Sequence, residues 1–387
     1  MKYDFVTVHD RRNTGSRKWG LVDKNEELLV PFSVADMEFM TAPEIVEEIS
    51  DYVQRNLLGY TTYTDKYLDE VVTWQKKMHN IEIDKSEIVA TPGVVTAIYY
   101  LLLSLTEKND GIIIFRPVYN PFTTSIEAAE RKVVNCPLIN TNGYYTIDFE
   151  KFDELASKSE NKALILCNPH NPVGRVWKEE ELKKIIEISK KYNLLIISDE
   201  IWSDITMSGF STNSLYKVGM GYEDNIIVTT SASKTFNLAG LSSSNILIKN
   251  KNLKRKFIKE LDKAHLSVNA IGFAGTLAAY SYGSNWMEEM LYVIEENYKY
   301  AKEFLENNFP GVVVSPLEGT YVMWIDFRSL NLDNEKLEKF MKEKASLYLN
   351  EGYLFGEEGN GFERLNIACP KNVLESALDR LKVAFES

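Results

Sequence analysis

Residues 163–199 open with Ala163-Leu164-Ile165-Leu166-Cys167 and continue through the loop Asn168-Pro169-His170-Asn171-Pro172-Val173-Gly174. The helix-length segment Glu179–Lys191 follows, and then Leu194-Leu195-Ile196-Ile197-Ser198-Asp199. The two outer runs are short and continuously apolar, the pattern of strands covered on both faces. Between them Leu182, Ile185, Ile186 and Ile188 recur at a helical period. Strand, helix, strand at this spacing predicts a βαβ unit and a mostly parallel sheet. Working outward, Ile112–Phe115, Ile226–Thr230 and Ile246–Ile248 repeat the strand signature. In such sheets ligands bind at the carboxyl ends of strands, so the polar residues just after these runs are the candidate site.

The texture changes towards the C-terminus. A helix is expected from about Trp286 to Asn307, ended by Asn308-Phe309-Pro310-Gly311. Val312–Ser315 and Tyr321–Phe327 read as antiparallel strands, followed by a helix near Asn334–Glu343 and a strand near Arg364–Ala368. The expectation is an α/β protein with a large domain over 46–285. A smaller α+β domain is built from 1–45 and 286–387.

With 387 residues the chain has ample length for a large core. Its 44 basic and 56 acidic residues give a net charge of −12, which repels a polyphosphate and argues against a nucleic-acid partner. The three cysteines form no CxxC pair and the four histidines have no metal-ligand spacing, so neither a disulfide framework nor a metal site is expected. The longest apolar run, Ala97 to Leu105, is about half of the ~20 residues that span a bilayer. Residues 1–12 lack the apolar stretch of a signal peptide. A cytoplasmic protein without a membrane partner is the expectation.

Three strand ends carry chemistry. Ser231-Ala232-Ser233-Lys234 follows Ile226–Thr230; it reads equally as an exposed loop lysine or as an amine that forms an imine with an aldehyde cofactor. Asp199 closes its strand; it is either a helix N-cap or a buried carboxylate awaiting a cation. The loop Asn168–Gly174 is at least a rigid turn, in which His170 reads as a loop contact and Asn171 as a donor to a phenolate oxygen.

The order of the three, N-P-x-N-P-x-G, then D-E, then S-x-S-K, resembles the fold type I pyridoxal-phosphate enzymes, the aspartate aminotransferase superfamily. Val34–Phe39, Pro92–Val95, Asn168–Trp177, Ser233–Leu241 and Phe362–Pro370 are similar to its MalY/PatB-type C–S lyase branch. The resemblance implies a large domain with a mostly parallel, seven-stranded-type sheet. It implies pyridoxal 5'-phosphate held as an imine by Lys234, with Asp199 on the pyridine nitrogen, Asn171 on the phenolate oxygen and Tyr119 stacked on the ring. Gly93, Val94, Val95, Ser231 and Ser233 would hold the phosphate, joined by Tyr60 from a neighbouring subunit of a homodimer. Arg364 would bind the substrate α-carboxylate through its bidentate fork, with Ala35 also at the substrate. Taken alone, Tyr119 reads as a core tyrosine and Arg364 as an exposed strand arginine. The peptide bond between Asn171 and Pro172 is expected to be cis.

Two positions depart from the aminotransferase pattern. Ser242 stands eight residues after the lysine, where many aminotransferases place a phosphate-binding arginine. Trp202 stands where they usually have a tyrosine; its indole N–H donates but cannot accept. The activity implied is α,β-elimination from cystathionine or a related cysteine S-conjugate, giving thiol, pyruvate and ammonia. The alternatives are an amino-acid aminotransferase and a cofactor-bound regulatory protein with little turnover. A nicotinamide dehydrogenase is disfavoured because no GxGxxG follows a strand.

Overall fold

A computed structural model describes residues 1–22 and 29–387. The strands are β1 (Ile88–Thr91), β2 (Gly111–Ile114), β3 (Lys132–Asn135), β4 (Ile139–Thr141), β5 (Tyr144–Thr146), β6 (Asn161–Cys167), β7 (Leu195–Asp199), β8 (Ile226–Thr230), β9 (Ser244–Ile248), β10 (Val313–Val314), β11 (Val322–Asp326), β12 (Asn350–Glu351) and β13 (Phe362–Asn366). Seven of them form one sheet in the order β1-β9-β8-β7-β6-β2-β3. Only β9 runs against its neighbours; every other pairing is parallel.

The apolar runs explain the layering. Alternate residues divide between two hydrophobic clusters: Ile112, Ile114, Ala163 and Ile165 enter one, whereas Ile113, Leu164 and Leu166 enter the other. Both faces are therefore covered, which continuous apolar strands require. The helix Glu179–Tyr192 lays Leu182, Ile185 and Ile186 on one face, begins with three glutamates and ends at Asn193 in the left-handed conformation.

A second sheet, β10-β11-β13-β12, is antiparallel throughout. The expected strands fall within a residue or two of β10, β11 and β13, and the long helix spans Ser284–Asn308. The helix expected near Asn334–Glu343 runs as α-helix to Lys339 and continues as one wider turn over Phe340–Lys344. Residues 30–38 lie beside this sheet: Asn366 N–H donates to Phe32 O at 3.0 Å and Glu38 N–H to Ala368 O at 2.8 Å.

The strands β1 and β3 were not apparent in the sequence. β1 is only four residues long, and β3 is an edge strand whose residues are half-buried or exposed. β1 offers only Ile88-Val89-Ala90, and β3 two valines between Lys132 and Asn135.

Candidate active site

Strand register assembles the site. Cys167 on β6 lies beside Asp199 on β7, and Asp199 beside Thr229 on β8. The Asn-Pro loop, the aspartate and the Lys234 turn therefore leave adjacent parallel strands at one level. From the other side, Tyr119 N–H donates to Asn171 O at 3.2 Å.

The Asn-Pro loop is braced from outside. Arg175 donates through Nε to Glu318 at 2.8 Å and through a terminal nitrogen to Glu181 at 2.8 Å. Gly174 sits at φ +75° with Leu317 Cδ1 only 3.0 Å from where a Cβ would lie, so a side chain there is both strained and crowded. His170 is a loop contact: its Nε2 is 2.9 Å from Pro117 O, and burial pushes its pKa down to about 4. The Asn171–Pro172 bond is cis, as are Arg116–Pro117 and Asn168–Pro169.

Asp199 is buried, and burial raises its pKa to about 7. Its donors, Ile201 N–H at 3.1 Å and the Thr229 hydroxyl at 3.3 Å, both reach Oδ1; Oδ2 receives none among the described residues. Arg364 on β13 is also buried rather than exposed. It donates to Asn171 Oδ1 at 3.0 Å, to Ser33 O at 2.9 Å and to Asn350 Oδ1. No carboxylate pairs with it among the described residues, and its Nε is buried without a partner. Burial lowers its pKa to about 10. Arg364 occupies the oxygen of the Asn171 amide, and the amide Nδ2 donates no hydrogen bond among the described residues.

Lys234 belongs to the short turn Ala232–Thr235. Its Nζ donates to Ala35 O at 2.7 Å and stands 5.2 Å from the centre of the Trp202 ring. Burial, and next the Arg364 charge, lower its pKa to about 8. An amine held there carries a larger neutral, nucleophilic fraction than a surface lysine. The Tyr321 hydroxyl donates to the same Ala35 carbonyl at 2.9 Å, and its ring meets Trp202 edge-on at 4.6 Å. Burial raises the Tyr119 pKa.

Gly93, at φ +99°, opens the helix Val94–Leu105. The N–H groups of Val94 and Val95 precede the first intrahelical bond, from Ala97 to Gly93 O, so they face outward as anion donors. The Thr91 and Ser244 hydroxyls lie 2.7 Å apart, which ties the end of β1, two residues before Gly93, to β9. The Ser231 hydroxyl donates to Ser243 O at 2.6 Å and accepts from Ser233 N–H at 3.1 Å. Ser242 is exposed. Tyr60 stands apart, with a fully exposed side chain, beside the exposed Leu57 and Leu58.

Several partners escaped sequence reasoning: Tyr321, Ser33, Asn350, and a charged cluster behind Ala35. In that cluster Lys18, 1% exposed, sits 2.7 Å from Glu38, Arg11 bridges Asp36 at 2.7 Å and Glu38 at 3.0 Å, and Trp19 Nε1 donates to Glu38 at 3.0 Å.

A family model described as aminotransferase class I and II matches residues 28–381. The chain belongs to the class I and II aminotransferase family. Over 99% of its length it is 34% identical to cystathionine beta-lyase PatB of Bacillus subtilis, all of which is covered. It is similar to the crystal structure of cystalysin from Treponema denticola, described as containing a pyridoxal 5'-phosphate cofactor, with 41% identity, a TM-score of 0.97 and coverage of 100% and 99% of the two chains. The pyridoxal-phosphate-bound C–S lyase from Staphylococcus hominis follows at 32% identity and TM-score 0.93, with the same coverage. This family chain is of mixed α/β type with a large, mostly parallel sheet, matching its fold type I neighbours.

The donor set suits such a cofactor. A buried carboxylate whose Oδ2 accepts no hydrogen bond among the described residues, a half-buried amine of lowered pKa and the first N–H groups of a helix match a cationic ring, an aldehyde and a phosphate in turn. Among the described residues there is no metal-binding cluster, and no helix is long and apolar enough to cross a membrane.

Proposed function

We propose that this chain is a pyridoxal-phosphate-dependent C–S β-lyase that takes cystathionine or another cysteine S-conjugate to thiol, pyruvate and ammonia. The observation that carries the reading is full-length similarity to lyases, joined to a buried Arg364 near Lys234 that pairs with no carboxylate among the described residues.

The cofactor, when bound, supplies an aldehyde and an electron-withdrawing ring. The Val94 and Val95 N–H groups, opened by Gly93, would hold the phosphate, with the Ser231 and Ser233 hydroxyls as further donors. Asp199, whose Oδ2 accepts no hydrogen bond among the described residues, would take the ring nitrogen and keep it protonated. Asn171 Nδ2 would donate to the phenolate oxygen, and Tyr119 would supply the aromatic face against the ring. Arg364 takes the substrate carboxylate through its fork, with Ala35 alongside. Lys234 Nζ takes the proton from Cα, and its lowered pKa makes it a competent base near neutral pH. Departure of the thiolate from Cβ then depends on the substrate carrying one.

The working unit in this reading is a cytoplasmic homodimer, in which Tyr60 completes the phosphate site of the partner subunit. Its support is an exposed tyrosine that makes no hydrogen bond among the described residues of its own chain. Residues 46–285 form the cofactor-binding domain, and 1–45 with 286–387 the smaller one. The deciding assay supplies cystathionine or S-methylcysteine without any 2-oxo acid and follows pyruvate and free thiol. Release of both is expected; brisk transamination of alanine with no thiol from any S-substituted cysteine returns the chain to the aminotransferases.

A further inference from the structure

Beneath the Lys234 turn lies a buried carboxylate that the chemistry above does not use. Asp204 is 8% exposed. Its Oδ1 accepts from Trp74 Nε1 at 3.1 Å and lies 2.7 Å from His79 Nε2. Its Oδ2 accepts from the Thr235 hydroxyl at 2.7 Å. The three partners come from two places: Trp74 and His79 from the helix Asp65–His79, and Thr235 from the turn that carries Lys234.

The same loop also touches Lys234 directly. Trp202, two residues before Asp204, presents its ring to Lys234 Nζ at 5.2 Å. Ile205, one residue after, is tied back by its N–H to Trp202 O at 2.9 Å, and its carbonyl accepts from Thr320 N–H at 2.9 Å, next to Tyr321. The loop after β7 therefore holds the lysine from two sides, by an aromatic face on its amine and by a hydrogen bond on the residue that follows it.

We propose that Asp204 and Thr235 are positioning residues for Lys234. The side chain of Lys234 must move when its amine is displaced and must return to one place to take a proton. A flexible four-carbon stem cannot store that position, so the backbone turn beneath it must. Four residues of helix make a weak element on their own. Phe236 N–H to Ala232 O closes the turn, and the Thr235–Asp204 bond anchors it to the core helix. A buried Asp204 side chain that accepts from Trp74 and Thr235 and also contacts the His79 ring is a rigid anchor, since losing a partner leaves a buried polar atom unsatisfied.

This inference rests on the lyase reading, and the test separates the two. The holoenzyme is made as wild type, Thr235→Val, Thr235→Ser and Trp74→Phe. Each is followed by pH titration of its visible absorbance, by kcat and KM on cystathionine, and by thermal unfolding. Thr235→Val removes the bond without changing charge or size. Its kcat is expected to fall roughly ten- to a hundredfold, the scale of a small misplacement of a reacting group, with KM little changed. The midpoint of its absorbance titration should move up, because a looser turn lets the Lys234 nitrogen, bound to the cofactor in the holoenzyme, reach water. Thr235→Ser, which keeps the hydroxyl, should restore both. Trp74→Phe removes a donor from the other oxygen; it should lower the melting temperature while moving the midpoint less than Thr235→Val does. Wild-type kcat and titration in Thr235→Val overturn the proposal. So does a serine variant as damaged as the valine, or a Trp74→Phe midpoint shift equal to that of Thr235→Val. A wild type that eliminates nothing overturns the lyase reading instead.

Discussion

Two regions of this molecule bury charge, and they do it differently. Behind Ala35, Lys18, Glu38, Arg11 and Asp36 neutralise one another, and Glu38 also accepts from Trp19. At the candidate active site Asp199 and Arg364 are buried and Lys234 is half-buried, and no carboxylate–cation pair within salt-bridge distance joins them among the described residues. A folded chain tolerates the first arrangement because the charges compensate each other. The second costs stability in the chain alone and persists where something else supplies the counter-charges. The contrast separates charge that builds the protein from charge that waits for a ligand.

The comparison breaks most visibly at Lys18. Lys18→Met strips Glu38 of its closest cation and should cost ~3–5 kcal/mol of stability, read by urea unfolding. Activity should fall only with the folded fraction. Arg364→Ala should do the reverse. It should lower kcat/KM on cystathionine by roughly 30- to 3,000-fold, the equivalent of ~2–5 kcal/mol for truncating one partner of a buried charge pair, while leaving unfolding unchanged or slightly harder. If both variants lose stability alike, the two regions are not distinct.

Asp199 sharpens the contrast through pH. Its carboxyl ionises near 4 in an unfolded chain and only at about 7 in the cofactor-free fold. The stability it contributes is complete below pH 4 and is lost as pH rises to about 7. Melting temperatures of the cofactor-free protein should therefore decline across that window. Asp199→Asn should flatten the decline, and so should added pyridoxal phosphate, whose ring supplies the missing cation. The smallest effect is expected at Tyr60. Tyr60→Phe should weaken cofactor affinity by ~1 kcal/mol, the worth of one hydrogen bond, in an equilibrium titration. An unchanged affinity would remove this residue from the partner's phosphate site.

The two regions were not equally legible in the sequence. The strand runs flanking residues 163–199 stood out because parallel strands covered on both faces leave no room for polar residues. Asp199 and Lys234 stood out as charges where such runs end. Arg364 gave no such signal; alone it reads as a surface strand arginine, and only the fold shows it buried beside Asn171. The Lys18 cluster was invisible for a related reason. Within Arg11-Arg12-Asn13-Thr14-Gly15-Ser16-Arg17-Lys18 a lysine looks solvated, and its burial depends on residues about 20 positions away. Tyr321 and Asp204 lie in stretches whose role is set entirely by what folds against them.

The level row formed by Cys167, Asp199 and Thr229 has a consequence for how such a chain can change over generations. The spacing between those positions is the spacing of hydrogen-bonded strands, ~4.8 Å, and no loop conformation adjusts it. Losing one residue inside β7 would turn Asp199 to the opposite face and pull the row apart, whereas losing one from an exposed loop would leave it intact. Arg364 hangs from a different sheet, outside that constraint. New leaving groups can thus be accommodated by altering the second sheet and the loops around it, while length changes within β6, β7 and β8 stay forbidden.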